Sequence, residues 1–317
     1  MKSSKIVSIT LSIVLFLGSC AVPKGSQDHS NTTRILQDQL GWTADTLKQG
    51  LVHYTFEGWY EPFQSNQRVD VLWVDIDQNR LVFDDTSPAD SLSSMVTKFP
   101  GAIAAINGTY YEILRSAELK GQSSSFFKSD GHVKVAVTLP EGHRLFWKHE
   151  GAFYYDEAER LWGIVYGDAK SYDEMSYPNV LSGSPMLIYD HKLVGETFVK
   201  ARNQPLDSLD YEDPDRHQGV RHPRTALALT NDNHLLMITV DGRREITAGM
   251  SAKELTQFIY RYFKPRYALN IDGGGSTTMW IKDSPSSNGV VNYPTDNKRY
   301  DHYGQRRIRN AIIVLDK

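Results

Sequence analysis

Apolar and polar residues alternate over short stretches along most of the chain, and this pattern predicts a protein built mainly of β-strands. The first strands are rich in Val, Tyr, Phe and Trp, which favour strands, and turn-like polar residues separate them. We expect the strands at 51–56, 68–76 and 81–83 to form a meander. Further strands are predicted at 102–106, 132–139, 145–147, 152–155, 161–166, 186–189, 226–229, 235–240, 268–271 and 311–315.

Two segments instead carry apolar residues at helical spacing. Residues 88–99 predict a helix with Ser87 or Asp90 as its N-cap. Residues 251–263 predict a second helix, because Ser251 and Glu254 have the spacing of a capping box and Pro265 follows. Together these elements predict a single mixed α+β domain with a largely antiparallel sheet and a few packed helices.

A buried strand at 268–271 leads directly into the most unusual stretch of the chain. Asp272 is followed by Gly273, Gly274 and Gly275, and then by the hydroxyl residues Ser276 and Thr277. Three glycines allow positive φ and bring backbone N–H groups close to a ligand, so the stretch predicts an anion site beside a carboxylate. A tight turn between two strands would also explain the glycines.

A second polar group follows the buried strand at 102–106. Asn107 and Gly108 are followed by Thr109, Tyr110 and Tyr111. An Asn-Gly pair is a strong signal for a hairpin turn, and the same residues would also suit the edge of a binding site.

Two further strands, at 226–229 and 235–240, predict a hairpin with charged residues at one end. Arg224 lies before the first strand, and Asp241 and Arg243 lie after the second, so the hairpin would bring them together. Guanidinium groups bind phosphate through paired hydrogen bonds, and we therefore interpret the two arginines as phosphate ligands.

Composition narrows the classes of function. The 317 residues are 40% hydrophobic and 23% charged, with a formal net charge of -3, so the chain has no basic excess that would attract nucleic acid. His217, His222 and His302 lack the spacing of a zinc site, and the acidic residues between 157 and 174 match no calcium loop. Polar loops at 203–217 and 284–297 are of the kind that often border functional sites.

The N-terminus predicts export. Lys2 and Lys5 precede an apolar stretch that ends at Cys20, the single cysteine of the chain, in a pattern that resembles a bacterial lipobox. We predict a lipoprotein signal peptide at 1–20 with lipidation of Cys20, a polar tether at 21–50, and one domain at 51–317. The domain would then lie outside the cytoplasm, held at the membrane of the cell envelope by its lipid.

Taken together, the motifs resemble those of the phosphodiester glycosidase family over roughly residues 51–315. The matching segments are 107–111, 182–185, 224–226, 240–243, 251–255, 270–277 and 309–312. The resemblance implies a hydrolase that cleaves a sugar from a sugar 1-phosphodiester, such as an N-acetylglucosamine 1-phosphodiester.

From their positions in the sequence and the chemistry of this reaction, we hypothesise roles for individual residues. Asp272 and Asp241 are the candidate catalytic carboxylates, and Asn107 would orient a sugar hydroxyl. The phosphate would be held by Arg224, Arg243, Gly273, Gly274, Gly275, Ser276 and Thr277. Other substrate contacts would come from Tyr110, Gly183, Ser184 and Asn310. No cofactor is expected, although the sequence leaves a divalent metal open, and it does not indicate the oligomeric state.

Two other functions remain open at this stage. The chain would also suit a non-catalytic glycan-binding lipoprotein of the envelope, since 11% of its residues are aromatic and such side chains stack on sugars. Actin-like phosphate-transfer enzymes have a similar glycine-rich loop, but they need a second phosphate loop that residues 51–120 do not contain. Product formation distinguishes the first alternative, and stabilisation by ATP distinguishes the second.

Overall fold

The structure is a computed structural model, and it describes residues 36, 39–111, 120–197, 204–210 and 212–317. The predicted signal peptide, Cys20 and most of the predicted tether lie outside these residues. Within the described part of the chain, none of the helices has both the length and the apolar character needed to cross a membrane.

The described residues form three sheets, and every pairing between their strands is antiparallel. The strands are β1 (Trp42–Lys48), β2 (Leu51–Tyr60), β3 (Ser65–Asp75), β4 (Asn79–Asp90), β5 (Ala102–Asn107), β6 (Phe127–Ser129), β7 (His132–Val135), β8 (Gly151–Asp156), β9 (Leu161–Tyr166), β10 (Asn179–Gly183), β11 (Met186–Ile188), β12 (Arg224–Leu229), β13 (His234–Val240), β14 (Tyr267–Asn270), β15 (Met279–Ile281) and β16 (Ile308–Asp316). The helices are α1 (Leu92–Met95), α2 (Ala169–Glu174), α3 (Pro214–Gly219) and α4 (Ala252–Phe263). The predicted mixed fold with few helices is confirmed.

Strand order places the candidate residues at one end of the largest sheet. That seven-stranded sheet has the order β1-β2-β3-β13-β12-β14-β11. A four-stranded sheet (β15-β5-β16-β4) and a five-stranded sheet (β7-β6-β10-β8-β9) accompany it. The predicted hairpin of β12 and β13 is present, with Arg224 opposite Val240.

The two faces of the seven-stranded sheet bury separate cores. On one face lies α4, whose capping box forms as predicted: Glu254 N–H donates to Ser251 Oγ at 3.2 Å, and Ser251 N–H donates to Glu254 Oε2 at 2.9 Å. Phe258 of α4 is among the residues buried in this core. On the opposite face, Leu72 and Met237 pack in one cluster with residues of the two smaller sheets. The candidate site lies where this second interface changes from apolar to polar side chains.

Three local predictions are wrong, and tertiary pairing explains them. β4 does not continue a meander from β3, because it pairs with β16 in the four-stranded sheet. The helix predicted at 88–99 is reduced to α1 and a 3-10 turn at Val96–Lys98, and Ser91 is its N-cap. The strand predicted at 145–147 is instead a 3-10 turn, Phe146–His149.

The domain begins earlier than residue 51, so the predicted tether is too long. β1 pairs with β2 along its length, and Trp42 is buried. The ring centroid of Trp42 lies 4.9 Å from that of Tyr262 and 5.6 Å from that of Phe56. Residues 42–48 are therefore part of the core.

Replacement of Trp42 by alanine tests this boundary. We expect Trp42→Ala to lower the free energy of unfolding in urea by about 3–5 kcal/mol, because the change leaves a cavity between β1 and α4. Trp59→Ala is the matched control, since that side chain is 55% exposed. Equal effects of the two changes would show that β1 is not part of the folded core.

Candidate active site

Asp272 lies two residues after β14 and is partly buried. Burial raises the pKa of this carboxyl above its usual value. The polar groups of Ser276 and Gly273 and the charges of Lys148 and Arg306 reduce the rise without cancelling it. A carboxyl with a raised pKa and cations nearby is suited to acid–base or nucleophilic chemistry.

The loop after Asp272 differs from the open cradle that the three glycines predict. Gly274 alone of the three has positive φ, at 62°. Its N–H donates to Pro223 O at 2.8 Å, and the N–H groups of Ser276 and Thr277 donate within the loop, at 3.2 and 3.3 Å. Much of the donor capacity of the loop is therefore used by the protein itself.

Close packing explains the third glycine instead. A Cβ at Gly275 would lie 2.2 Å from Asp296 Oδ1 and 2.3 Å from Arg306 Nη2. Arg306 and Asp296 form a two-pronged ion pair, with 3.0 Å from Nε to Oδ2 and 2.7 Å from Nη2 to Oδ1. Gly275 thus allows this pair to lie directly against the loop.

The two arginines of the hairpin occupy different environments. Arg224 is buried, and its guanidinium donates to Met250 O at 2.9 Å, His217 O at 2.7 Å and Val220 O at 3.0 Å. Arg243 is exposed, and its Nη2 lies 3.0 Å from the point that a Cβ at Gly274 would occupy. Arg243 is therefore placed to meet a ligand over the loop. Arg224 instead links the backbone of α3 and of the segment before α4 through its hydrogen bonds.

Asn107 ends β5 but does not begin a hairpin, because β5 lies between β15 and β16. Its Nδ2 donates to the backbone carbonyl of Asp272 at 2.7 Å, and its Oδ1 accepts from Thr225 Oγ1 at 2.8 Å and from Thr278 N–H at 3.1 Å. These contacts use both ends of the amide. Asn107 therefore positions Asp272, while its predicted contact with a sugar hydroxyl stays a prediction.

Asp241 does not share the surroundings of Asp272. β12 lies between β13 and β14, so the two carboxyls emerge from strands separated by two strand spacings, roughly 10 Å. Asp241 is 1% exposed, and it accepts hydrogen bonds from Asn292 Nδ2 at 2.9 Å and from Tyr293 N–H at 3.0 Å. Burial and the nearby Asp70 raise the pKa of Asp241 to about 7.

The four remaining predicted contact residues lie around the segments that follow β5 and end β14. Tyr110 is buried, and its hydroxyl donates to Ser184 O at 3.2 Å. A Cβ at Gly183 would lie 2.4 Å from Asn270 O, and Asn310 Oδ1 accepts from Thr109 N–H at 2.7 Å. Their predicted contacts with a substrate stay predictions.

Several residues near Asp272 were missed by the sequence analysis. Lys148 Nζ lies 5.0 Å from the ring centroid of Tyr110 and 5.6 Å from that of Trp147, and it pairs with Glu212 at 2.8 Å. The ring centroids of Trp147 and His217 are 4.9 Å apart. Trp147 ends the predicted strand 145–147 and Lys148 follows it. Neither carries a local signal for a site, because only the tertiary fold brings them to Tyr110.

Two histidines near Arg224 have pKa values well below the usual value. Burial, Arg224 and Arg243 lower the pKa of His222 to about 3. Burial is also the largest cause that lowers the pKa of His217 well below its usual value, with Arg224 and Lys148 contributing. The positive charges that act on Asp272 come from Lys148 and Arg306. No group of three or more His, Cys, Asp and Glu side chains suited to a metal ion occurs among the described residues.

Comparisons with known proteins point to one family. The family model of the phosphodiester glycosidases matches residues 100–315, more than half of the chain. A search of curated proteins found no significant match.

Solved structures share the fold at low sequence identity. The catalytic domain of zebrafish N-acetylglucosamine-1-phosphodiester alpha-N-acetylglucosaminidase, auto-inhibited by its pro-peptide, is 14% identical with a TM-score of 0.59. The match covers 92% of this chain and 94% of that one. A hypothetical protein from Synechocystis is 12% identical with a TM-score of 0.56, over 88% of this chain and 64% of that one.

The raised pKa of Asp241 predicts a specific pH dependence of stability. Because its pKa rises from 3.8 to about 7 on folding, the native state holds more protons than the unfolded state between about pH 4 and 7. The contribution of this group to stability is therefore present below pH 4 and lost as pH rises through 7. Relative to Asp241→Asn, wild type should lose up to about 1.4 kcal/mol of unfolding free energy per pH unit in this window.

The measurement is urea unfolding at several pH values. Asp130→Asn, at an exposed carboxyl, is the control and should keep the wild-type profile. Parallel profiles for wild type and Asp241→Asn would show that this carboxyl titrates as it does in the unfolded chain.

Proposed function

Because the chain belongs to the phosphodiester glycosidase family, we propose that it hydrolyses the bond between a sugar and phosphate in a sugar 1-phosphodiester. An N-acetylglucosamine 1-phosphodiester is the first candidate, as the name of the zebrafish relative suggests. The natural substrate would be a glycan of the cell envelope or of the environment.

The observation that carries this proposal is one partly buried carboxyl with cationic side chains near it. Asp272 has a raised pKa, and the charges of Lys148 and Arg306 act on it. Arg243 lies over the adjoining Gly274. A phosphodiester carries one negative charge beside an anomeric carbon, so the cations would bind the charge and place that carbon near the carboxyl.

The leaving group explains why one carboxyl is enough. Cleavage at the anomeric carbon breaks its bond to the phosphate oxygen, and the electron pair leaves with a phosphate monoester. The second pKa of such a monoester is about 6, so the group leaves with little need for a proton donor. The site then requires cations for the phosphate and one carboxylate on the sugar side.

Asp272 can fill that role in two ways. As a base, it removes a proton from water while the water oxygen bonds to the anomeric carbon, and the configuration inverts. As a nucleophile, it bonds to that carbon first and is released by water, and the configuration is retained. The configuration of the released sugar therefore distinguishes the two roles.

The aromatic wall would contact the sugar ring. Tyr110, Trp147 and His217 form a cluster next to Asp272, with ring centroids of Tyr110 and Trp147 6.2 Å apart. Aromatic rings pack well against the apolar faces of sugars, and the wall would hold the ring while the loop holds the phosphate.

The cellular setting is proposed from the sequence alone. Lys2, Lys5 and the apolar stretch that ends at Cys20 support export and lipidation. The domain would then act at the membrane surface of a bacterial envelope. The reaction as proposed uses only groups of the protein, so activity is expected to survive dialysis against a chelator.

Sugar release from matched substrates tests the proposal. We expect release from an N-acetylglucosamine 1-phosphodiester, and not from the matched phosphomonoester or an ordinary aryl glycoside. Asp272→Asn should lower kcat by about 10²–10⁴-fold, because the amide can neither take a proton nor attack. Asp130→Asn is the control, and it should retain wild-type kcat.

Three outcomes would count against this function. Full turnover by a folded Asp272→Asn protein would remove Asp272 from the reaction. Equal sugar release from the aryl glycoside would show that the reaction does not depend on a phosphate group in the substrate. Binding of the diester without product would favour a glycan-binding protein.

A further inference from the structure

Asp241 binds the start of the segment 292–306, which runs back to the glycine loop at 273–277. Besides its bond to Asp241, Asn292 Nδ2 donates to Thr277 O at 3.1 Å, and Asn292 Oδ1 accepts from Met279 N–H at 2.8 Å. Its backbone carbonyl accepts from His302 Nδ1 at 2.8 Å. The buried Asn292 thus joins Asp241 to the exit of the loop and to the end of the segment 292–306.

A second buried carboxyl, that of Asp70, holds side chains that contact the same segment. Asp70 accepts from His53 Nε2 at 2.9 Å and from Arg68 Nε at 3.2 Å. The Arg68 guanidinium lies 5.6 Å from the ring centroid of Tyr293, which stacks on Tyr300 at 3.9 Å. The start of the segment therefore rests on a fixed layer of charged and aromatic side chains.

The far end of the segment supplies a cation to the site. Arg306 is held by Asp296 of the same segment, lies against Gly275, and its charge acts on Asp272. The Arg306 side chain is 27% exposed. It can therefore reach a ligand over the loop, whereas the buried oxygens of Asp241 cannot.

We propose that Arg306 is a phosphate-binding residue of this site and that Asp241 is its positioning residue, which acts through the segment 292–306. This rests on the proposed function for the identity of the anion. It removes Asp241 from the candidate catalytic groups and leaves Asp272 as the reacting carboxyl.

Calorimetric titration with inorganic phosphate tests the inference without any turnover. Arg306→Gln should weaken phosphate binding roughly tenfold, the usual scale for a charge-assisted hydrogen bond. Asp241→Asn should weaken it several-fold, and the double variant should bind no more weakly than Arg306→Gln alone, because the two residues act in one path. Arg299→Gln removes an exposed cation from the same segment and is the matched control.

Kinetics with the diester add a second readout. If Asp241 positions Arg306, then Asp241→Asn should raise KM and change kcat far less than Asp272→Asn does. Asp241→Glu, which keeps the carboxyl group but moves its oxygens, replaces Asp241→Asn if thermal unfolding shows that the amide variant does not fold.

The outcomes separate this inference from the proposed function. If the fold-losses of phosphate affinity in the two single variants multiplied in the double variant, the positioning role would be overturned. Unchanged phosphate binding in Asp241→Asn would overturn it as well. Wild-type affinity in Arg306→Gln would overturn the binding role. If wild type released no sugar while the phosphate cycle behaved as stated, the proposed function would fail and the inference would stand.

Discussion

The position of the reacting carboxyl depends on one buried amide. Asn107 belongs to the four-stranded sheet, yet it hydrogen-bonds Thr225 of the seven-stranded sheet and the backbone carbonyl of Asp272. Burying a polar group without a hydrogen-bond partner costs free energy. The two sheets are therefore held in the one relative position that gives the amide of Asn107 its partners. Asn107 thereby fixes the backbone at Asp272, two residues after β14.

Local patterns predicted the elements of the site, and tertiary contacts decided their roles. The α4 helix, the β12–β13 hairpin and the strand before Asp272 follow from periodicity and capping, which act within a few residues. Asp241 and Asp272 look alike in the sequence, since each follows a buried strand and precedes a glycine. Only their neighbours separate them, because Asp241 is enclosed by Asn292 and Tyr293 while Asp272 faces cations.

The missed residues show the other limit of sequence reasoning. Lys148 reaches Tyr110 from a 3-10 turn, and Arg306 reaches Gly275 from a long loop. Neither contact can be predicted from the spacing of neighbouring residues, because each joins segments that are far apart in the chain. The glycine loop was recognised as a site feature, but its own turn and Pro223 use N–H groups that were predicted for a ligand.

That use of the loop donors determines what kind of attraction the site exerts. A cradle of backbone N–H groups acts over a few ångströms, whereas the guanidinium and ammonium groups of Arg243, Arg306 and Lys148 act through a field that extends into solvent. Such a field speeds the encounter with charged substrates, and at 0.1 M ionic strength dissolved ions screen most of it beyond about 10 Å. The capture of substrate by this protein should therefore respond to the salt of its surroundings.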